Sequence, residues 1–536
     1  MKPKQLILIA IFFVKSATIC LAQNSGGGRE LKNNMQNAKA EISNYNTACY
    51  FALEGDKDLA FAYLKQAVYH DGFSKVNVIE KDADLASLHN EPIWITLIKA
   101  TRENLTREQK LSQSFVNQND FWESKALLTS YRKNISDDEK VAGLSKLWSE
   151  VKYNFANFDL VPHLKFDSLY LAYLPKVKQT KSTSAYYKMM TEFCAQLKDG
   201  HTNVYVPDEL DDEFYARPLL RSRLIENKVL IVGVYDSVLE KKGVKIGQEI
   251  VSVNGLSVKE YAARYIMPYL SSSTSQDLET RAYDYSLLAG SINDPIKLEL
   301  KDAKGHKNIY TIKRVKPEER SKRLATNPFQ YKVLKGNIAY IAMNSFATDS
   351  ATKAFANNFK EISKANAIIF DVRNNGGGST PWSILSYLIE KGQPIHSWYV
   401  RDYKPYNRAS NQIQNFLSGI SILDPTDRSF YSKPVVVLTS SRTFSAAEDF
   451  VAAFKSLNRG TIIGMPSGGS TGQPLLIGLP GNGSARICTK RDMLANGDDF
   501  VGKGVQPDIL VAPTASDIRK GIDTELEAAL RYLSDK

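Results

Sequence analysis

The sequence predicts a multidomain α/β protein, and three observations carry that prediction. At 536 residues the chain is long enough for about three or four domains. Its 43% hydrophobic and 24% charged residues sit at ordinary globular averages, so it can build packed cores. From Gly336 onward, apolar β-rich runs alternate with amphipathic helical stretches, the pattern of an α/β layer with functional groups at the carboxyl ends of its strands.

Residues 1–22 read as an export signal, not as part of the fold. Lys2 and Lys4 give a basic start, Leu6 to Val14 is an apolar run, and Cys20-Leu21-Ala22 precedes Gln23 as a cleavage site. Cys20 raises the lipoprotein alternative, but Ile19 stands where a small residue is expected. No later stretch approaches the roughly 20 continuous apolar residues of a membrane span. The formal charge of +11 includes three lysines in the leader, and the remainder is spread without a basic block. Nucleic acid is therefore not expected as a partner. Cys49, Cys194 and Cys488 show no short metal spacing and read as buried thiols.

Residues 34–130 are predicted helical. Ala48, Phe51 and Ala52, then Ala60, Tyr63, Leu64 and Ala67, fall at helical spacing on either side of Gly55-Asp56. This unit resembles a tetratricopeptide repeat, with a plain helical hairpin as the alternative; Asp82 to Ala100 would be a partial second unit. A second helical region, 137–210, carries the stripe Leu144, Leu147, Trp148 and Val151 and ends at Asp199-Gly200-His201-Thr202 before Val204 starts extended structure.

Residues 215–316 change to β character. The run Gly243 to Gly255, closing on Asn254-Gly255, resembles the middle of a PDZ domain, where an Asn-Gly turn follows a strand. Between 330 and 530 the expected strands are Ile338–Met343, Ala367–Val372 and Pro434–Thr439, and the expected helices are Thr352–Ala365, Thr380–Glu390 and Ala446–Leu457. The interval 392–433, with Trp398, Tyr399, Tyr403 and Tyr406, is expected as a long connection lining a substrate cleft.

Ser445 is the strongest candidate for chemistry. It lies between a strand and a helix, where free helix N–H groups and the positive dipole end can hold an oxyanion. Ser445 and Glu448 also fit a capping box, so an N-cap role stays open. The glycine turn Asn375-Gly376-Gly377-Gly378 brings backbone N–H groups close to a ligand, and Gly376, Gly377 and Ala446 are the candidate oxyanion donors. Of six histidines, His201, in an exposed setting, and His396 remain as base candidates. An unperturbed imidazole would put the acidic limb of activity near pH 6 to 7.

Four motifs occur in order: Asp199-Gly200-His201-Thr202, Asp371 to Gly378, Thr443 to Glu448, and Gly502-Lys503-Gly504-Val505-Gln506-Pro507-Asp508. Together they resemble the tail-specific (C-terminal-processing) serine peptidases, in the tricorn-core branch. The resemblance implies a crotonase-like (ClpP/crotonase-type) α/β core with a helical subdomain and a PDZ module. It implies Ser445 as nucleophile, His201 as base, glycine-turn amides as oxyanion donors, and no metal or organic cofactor. Gln473 occupies the place of the lysine base of the other branch. Gly200 stands where tricorn-like enzymes can show a serine, and Val501 aligns with their glutamate, so Asp498 or Asp499 becomes the substitute orienting acid. The expected function is an exported, periplasmic or secreted serine endopeptidase acting on peptides or unfolded protein segments. A catalytically inactive protein binding peptide or a hydrophobic ligand is the alternative, with an esterase third.

Overall fold

The computed structural model describes residues 43–426 and 430–535. The leader at 1–22 and the start of the helical region at 34–42 lie outside the described residues. The chain divides into two units, 1–125 with 415–419, and 126–414 with 420–536.

The first unit is helical, as its periodicity predicts. Asn44–Leu53 and Lys57–Lys65 flank Gly55, whose φ of +78° makes the turn that a β-carbon would strain. Pro92–Ser112 is the longest helix among its described residues, begun by proline at the first helical position. Its core gathers Ala48, Cys49, Ala60, Leu64 and Leu97, with Tyr45 stacked on Phe73 at 4.3 Å.

In the second unit, helices Asp137–Asn154, Phe166–Gln179 and Thr183–Ala195 pack Leu144, Leu147, Tyr186 and Phe193 against a three-stranded antiparallel sheet that includes Asn203–Tyr205 and Gly483–Cys488. Ser136 and Glu139 close the first of these helices with a capping box. Residues 220–312 form a six-stranded antiparallel sheet around Ile231, Ile250, Leu298 and Ile296, and Asn254 and Gly255 make its tight turn with positive φ at both residues.

The central sheet positions the site. Its strands are β1 (Phe329–Leu334), β2 (Ile338–Met343), β3 (Ala367–Asp371), β4 (Val435–Thr439), β5 (Thr461–Gly464) and β6 (Ile509–Leu510). They lie side by side in chain order, parallel from β2 to β6 with β1 antiparallel at one edge. Both faces are covered. Phe370, Val437 and Ile462 pack under Phe355 and Phe450 on one side, and Ile369, Val436 and Ile463 meet the C-terminal helix Thr524–Ser534 on the other. Burial on both faces explains why these strands read as unbroken apolar runs.

Two expectations are corrected. The helix expected at Thr380–Glu390 is only Trp382–Ser386, because Tyr387 and Leu388 continue as i→i+3 turns that bury Leu388 and Ile389. The interval 392–433 is not a long connection: it holds strands Gln393–Asp402 and Asn415–Leu423 and the helix Pro405–Ala409. The first of these strands pairs antiparallel with Lys490–Leu494, a partner nearly a hundred residues away.

Candidate active site

Three neighbouring strands end at one place. β3 leads into the glycine turn, β4 into the turn carrying Ser445, and β5 into Gly464–Ser470. The turns are tied together by Phe444 N–H to Asn375 O (3.0 Å), Ser445 N–H to Ser470 O (3.1 Å) and Thr443 Oγ1 to Val372 O (2.9 Å). Ser445 sits at φ +60° and ψ −130° directly before the helix Ala446–Ser456. A non-glycine residue in that conformation costs about 1–3 kcal/mol, which the packed strand and helix around it must offset.

His201 arrives from the helical region. Its Nε2 lies 2.8 Å from Ser445 Oγ, and its Nδ1 lies 2.9 Å from Ser470 Oγ. With Nδ1 donating to Ser470, Nε2 is left as the acceptor of the Ser445 hydroxyl proton. The turn before it is fixed by Asp199, whose Oδ1 accepts from His201 N–H and Thr202 Oγ1, both at 2.9 Å. Contrary to the expected exposed setting, His201 is 1% exposed and stacked on Phe444 at 4.8 Å. Burial first, then the Arg486 and Arg281 cations, hold its pKa well below the ordinary imidazole value.

The group behind the base is Ser470, which the sequence did not single out. Asp498 and Asp499, the expected orienting acids, stand elsewhere: Asp499 pairs with Arg491 Nε at 3.0 Å, and Asp498 accepts from Asn496. Their Asn-Gly-Asp-Asp turn closes on Leu494, not on the imidazole. Gly200 leaves space for Ser470, since a β-carbon there would lie 2.9 Å from Ser470 Oγ and 3.0 Å from the Phe444 ring. Val501 is a core residue.

Glu448 anchors the loop that presents Ser470. Its carboxyl accepts from Ser467 Oγ and Gly469 N–H (2.6 Å each), Ser470 N–H (2.9 Å) and Ser445 N–H (3.2 Å). The last bond is the capping interaction expected of Glu448, and the other three extend its role. Burial pushes this carboxyl up to about 8, while the four donors favour its anion. Replacing Ser470 by alanine should lower kcat about 10–100-fold, the equivalent of the ~1–3 kcal/mol lost when a buried donor has no partner. Steady-state kinetics showing an unchanged kcat and pH profile would remove Ser470 from the mechanism.

Of the three candidate oxyanion donors, the structure separates one. Gly377 N–H donates internally to Asn375 Oδ1 at 2.9 Å. Among the described residues, the amides of Gly376 and Ala446 have no acceptor, and both residues line the cavity at Ser445. The importance of Gly377 is steric: at φ +106° a β-carbon would lie 2.6 Å from Ser445 Cβ. Gly377→Ala should therefore displace the nucleophile and destabilise the fold by about 1–3 kcal/mol. Wild-type melting temperature and wild-type turnover in this variant would contradict that assignment.

The cavity around Ser445 measures about 820 Å³ and is lined by His201, Arg281, Trp382, His396, Gln473 and Arg486, among others. His396 faces it but serves other partners, with Nε2 3.0 Å from Ser421 Oγ and its ring stacked on Trp382. The four aromatic residues expected to line a cleft, Trp398, Tyr399, Tyr403 and Tyr406, are not among its lining residues. Gln473 is in the cavity wall, and the group bonded to Ser445 is His201.

The sequence model of peptidase family S41 matches residues 337–511, the span from β2 to the end of β6. A chloroplastic C-terminal processing peptidase of Tetradesmus obliquus is 25% identical over 301 residues, 55% of this chain and 57% of that protein. A carboxy-terminal-processing protease of Bartonella bacilliformis is 28% identical over 211 residues, 38% of this chain and 45% of that protein. The chain thus spans about half the length of these relatives. The structure of mature CPAF complexed with lactacystin superposes with a TM-score of 0.58 at 15% identity, over 74% of this chain and 97% of that one, a likeness of fold.

Proposed function

We propose, from the membership of peptidase family S41 that residues 337–511 give this chain, that it is a serine endopeptidase acting by acyl transfer. The observation that carries this reading is the line Ser445 Oγ, His201 Nε2, His201 Nδ1, Ser470 Oγ, with contacts of 2.8 and 2.9 Å. Ser445 attacks the peptide carbonyl as His201 Nε2 takes its proton. The oxygen that becomes negative is held by Gly376 and Ala446 N–H at the positive end of the helix dipole. His201 then protonates the leaving amine, and a water activated by the same imidazole releases the acyl group. Ser470 keeps the proton on Nδ1 throughout.

Substrates in this proposal are peptides or unfolded segments. We read the sheet at 220–312 as a PDZ-like module, residues 330–530 as the crotonase-like core, the first unit as tetratricopeptide-like, and residues 1–22 as an export leader to the periplasm or exterior. No helix among the described residues is long and apolar enough to cross a membrane. The inactive binding alternative is disfavoured by the strained Ser445 and its bond to a neutral base, neither of which ligand storage needs. A fluorophosphonate probe tests the proposal: it should modify Ser445 stoichiometrically in the folded protein, located by peptide mass mapping. Folded protein that stays unlabelled would establish the binding alternative.

A further inference from the structure

The turn that presents the Gly376 amide is held from behind by an ionic cluster that a substrate does not touch. β3 ends at Asp371, and the turn after it is closed by Asn375 N–H donating to Val372 O at 3.1 Å. Arg373 is a central residue of that turn, three positions before Gly376. Its guanidinium is enclosed by three carboxylates. Nε and Nη2 donate to Asp371 Oδ1 and Oδ2 at 3.0 and 2.6 Å. Nη1 and Nη2 donate to Asp523 Oδ1 and Oδ2 at 2.6 and 2.8 Å, and Nη1 also reaches Glu525 Oε2 at 3.2 Å. Tyr340 Oη donates to Asp371 Oδ2 at 2.6 Å and ties the group to β2. Asp523 and Glu525 stand at the start of the helix Thr524–Ser534, 150 and 152 residues beyond Arg373. Asp523 is the N-cap of that helix and accepts from Leu526 N–H at 3.1 Å.

The backbone of Arg373 touches the turn of the nucleophile. Ser440 Oγ donates to Arg373 O at 2.7 Å and accepts from Arg442 N–H at 3.1 Å, five residues before Ser445. One residue therefore joins the oxyanion turn, the nucleophile turn and the helix Thr524–Ser534. Stability is a weak reason for such a cluster. The side chains of Arg373, Asp371 and Glu525 are 12%, 5% and 4% exposed, and buried ion pairs seldom outdo a well-packed apolar replacement. Glu525 Oε1 is buried without a hydrogen-bond donor among the described residues, a further cost. What the cluster supplies is direction. Two two-pronged arginine–carboxylate pairs fix the guanidinium plane, and with it the short backbone segment from which that side chain grows.

We propose that Arg373 is a positioning residue of the active site. The helix Thr524–Ser534, through Asp523 and Glu525, holds its side chain so that Gly376 N–H and Ser445 Oγ address the same carbonyl group. That helix then serves catalysis in addition to covering the central sheet. The proposal rests on the acyl-transfer reading, because it concerns the amide assigned to the oxyanion.

Two variants of the full chain test it, read by hydrolysis of fluorescein-labelled β-casein and by the rate of fluorophosphonate labelling. Asp523→Asn keeps an N-cap of equal rank but removes the charge that faces Arg373. Arg373→Lys keeps the cation but loses the fork. Each should lower kcat and the labelling rate by about tenfold or more, since the phosphonyl oxygen uses the same amides, while KM stays within about twofold. Combined, they should cost little more than Arg373→Lys alone, as members of one unit do. Glu527→Gln, an exposed carboxylate of the same helix, is the control and should leave both rates unchanged. The Asp523 side chain is 41% exposed and its asparagine variant retains both bonds to Asp371, so a folded sample is expected even where Arg373→Lys unfolds; chemical denaturation checks each. Wild-type rates in folded Asp523→Asn, a change confined to KM, or an equal loss in Glu527→Gln overturns the positioning role and leaves acyl transfer standing. Folded wild-type protein that does not label overturns the acyl-transfer reading, and the positioning role with it.

Discussion

Ser445→Ala is expected to abolish peptide hydrolysis, with a loss of about 10⁴-fold or more, because among the described residues Ser445 supplies the hydroxyl on His201 Nε2, and Ser470 stands on Nδ1, the nitrogen that carries the proton. The fold should survive. Alanine keeps the β-carbon, so the strain at φ +60° remains and only the bond to His201 Nε2 and any capping contribution of the hydroxyl are lost. That predicts a stability change of about 1–2 kcal/mol. A second substitution separates nucleophile from helix cap. Ser445→Gly should be equally inactive yet more stable than Ser445→Ala by about 1 kcal/mol or more, since glycine adopts this backbone conformation without penalty. An ordinary N-cap with negative φ also favours glycine over alanine, by roughly 1 kcal/mol, so the strain at φ +60° shows as the part of the gain above that figure. Turnover by either variant above a thousandth of wild type would refute the assignment, and chemical denaturation read beside the kinetics ensures that an unfolded sample is not mistaken for a dead one.

The parts of this molecule that were legible in the sequence are those fixed by local chemistry. The central strands show as apolar runs because both their faces are buried, and Ser445 shows because a strand–turn–helix junction with free helix N–H groups leaves a local signature. What escaped was decided by convergence. Ser470 lies 269 residues from His201, and nothing in its own segment marks the hydroxyl as an imidazole partner. The role of Gly377 was misassigned because a glycine offers both a close approach and an amide, and only the Asn375 side chain reveals that its amide is already used. His201 looked exposed since it follows a polar Lys-Asp-Gly turn, yet Phe444 and the loop at Ser470 close over it. The segment 392–433 looked like a loop because the partner of its strand at Gln393–Asp402 comes from Lys490–Leu494.

The buried position of His201 changes what the pH profile should look like. Burial and the cations Arg486 and Arg281 disfavour imidazolium, so the neutral base persists to lower pH than an ordinary imidazole would allow. The acidic limb of kcat/KM is therefore expected below pH 6.5 and not in the 6 to 7 range that the sequence alone suggests. The sign for stability follows. Where the unfolded chain binds a proton that folded His201 refuses, unfolding takes up protons, so this residue's contribution is present above pH 6.5 and is lost as pH falls below it. Activity and stability then decline on the same side, and the experiment must separate them. His201→Gln should cost at least about 10²-fold in turnover, and it should also flatten the acid dependence of the unfolding free energy below pH 6.5, because glutamine does not titrate. His396→Gln should leave the acidic limb in place, since His396 is bonded to Ser421 and not to the nucleophile. A limb that stays in His201→Gln and vanishes in His396→Gln would reverse the assignment of the base.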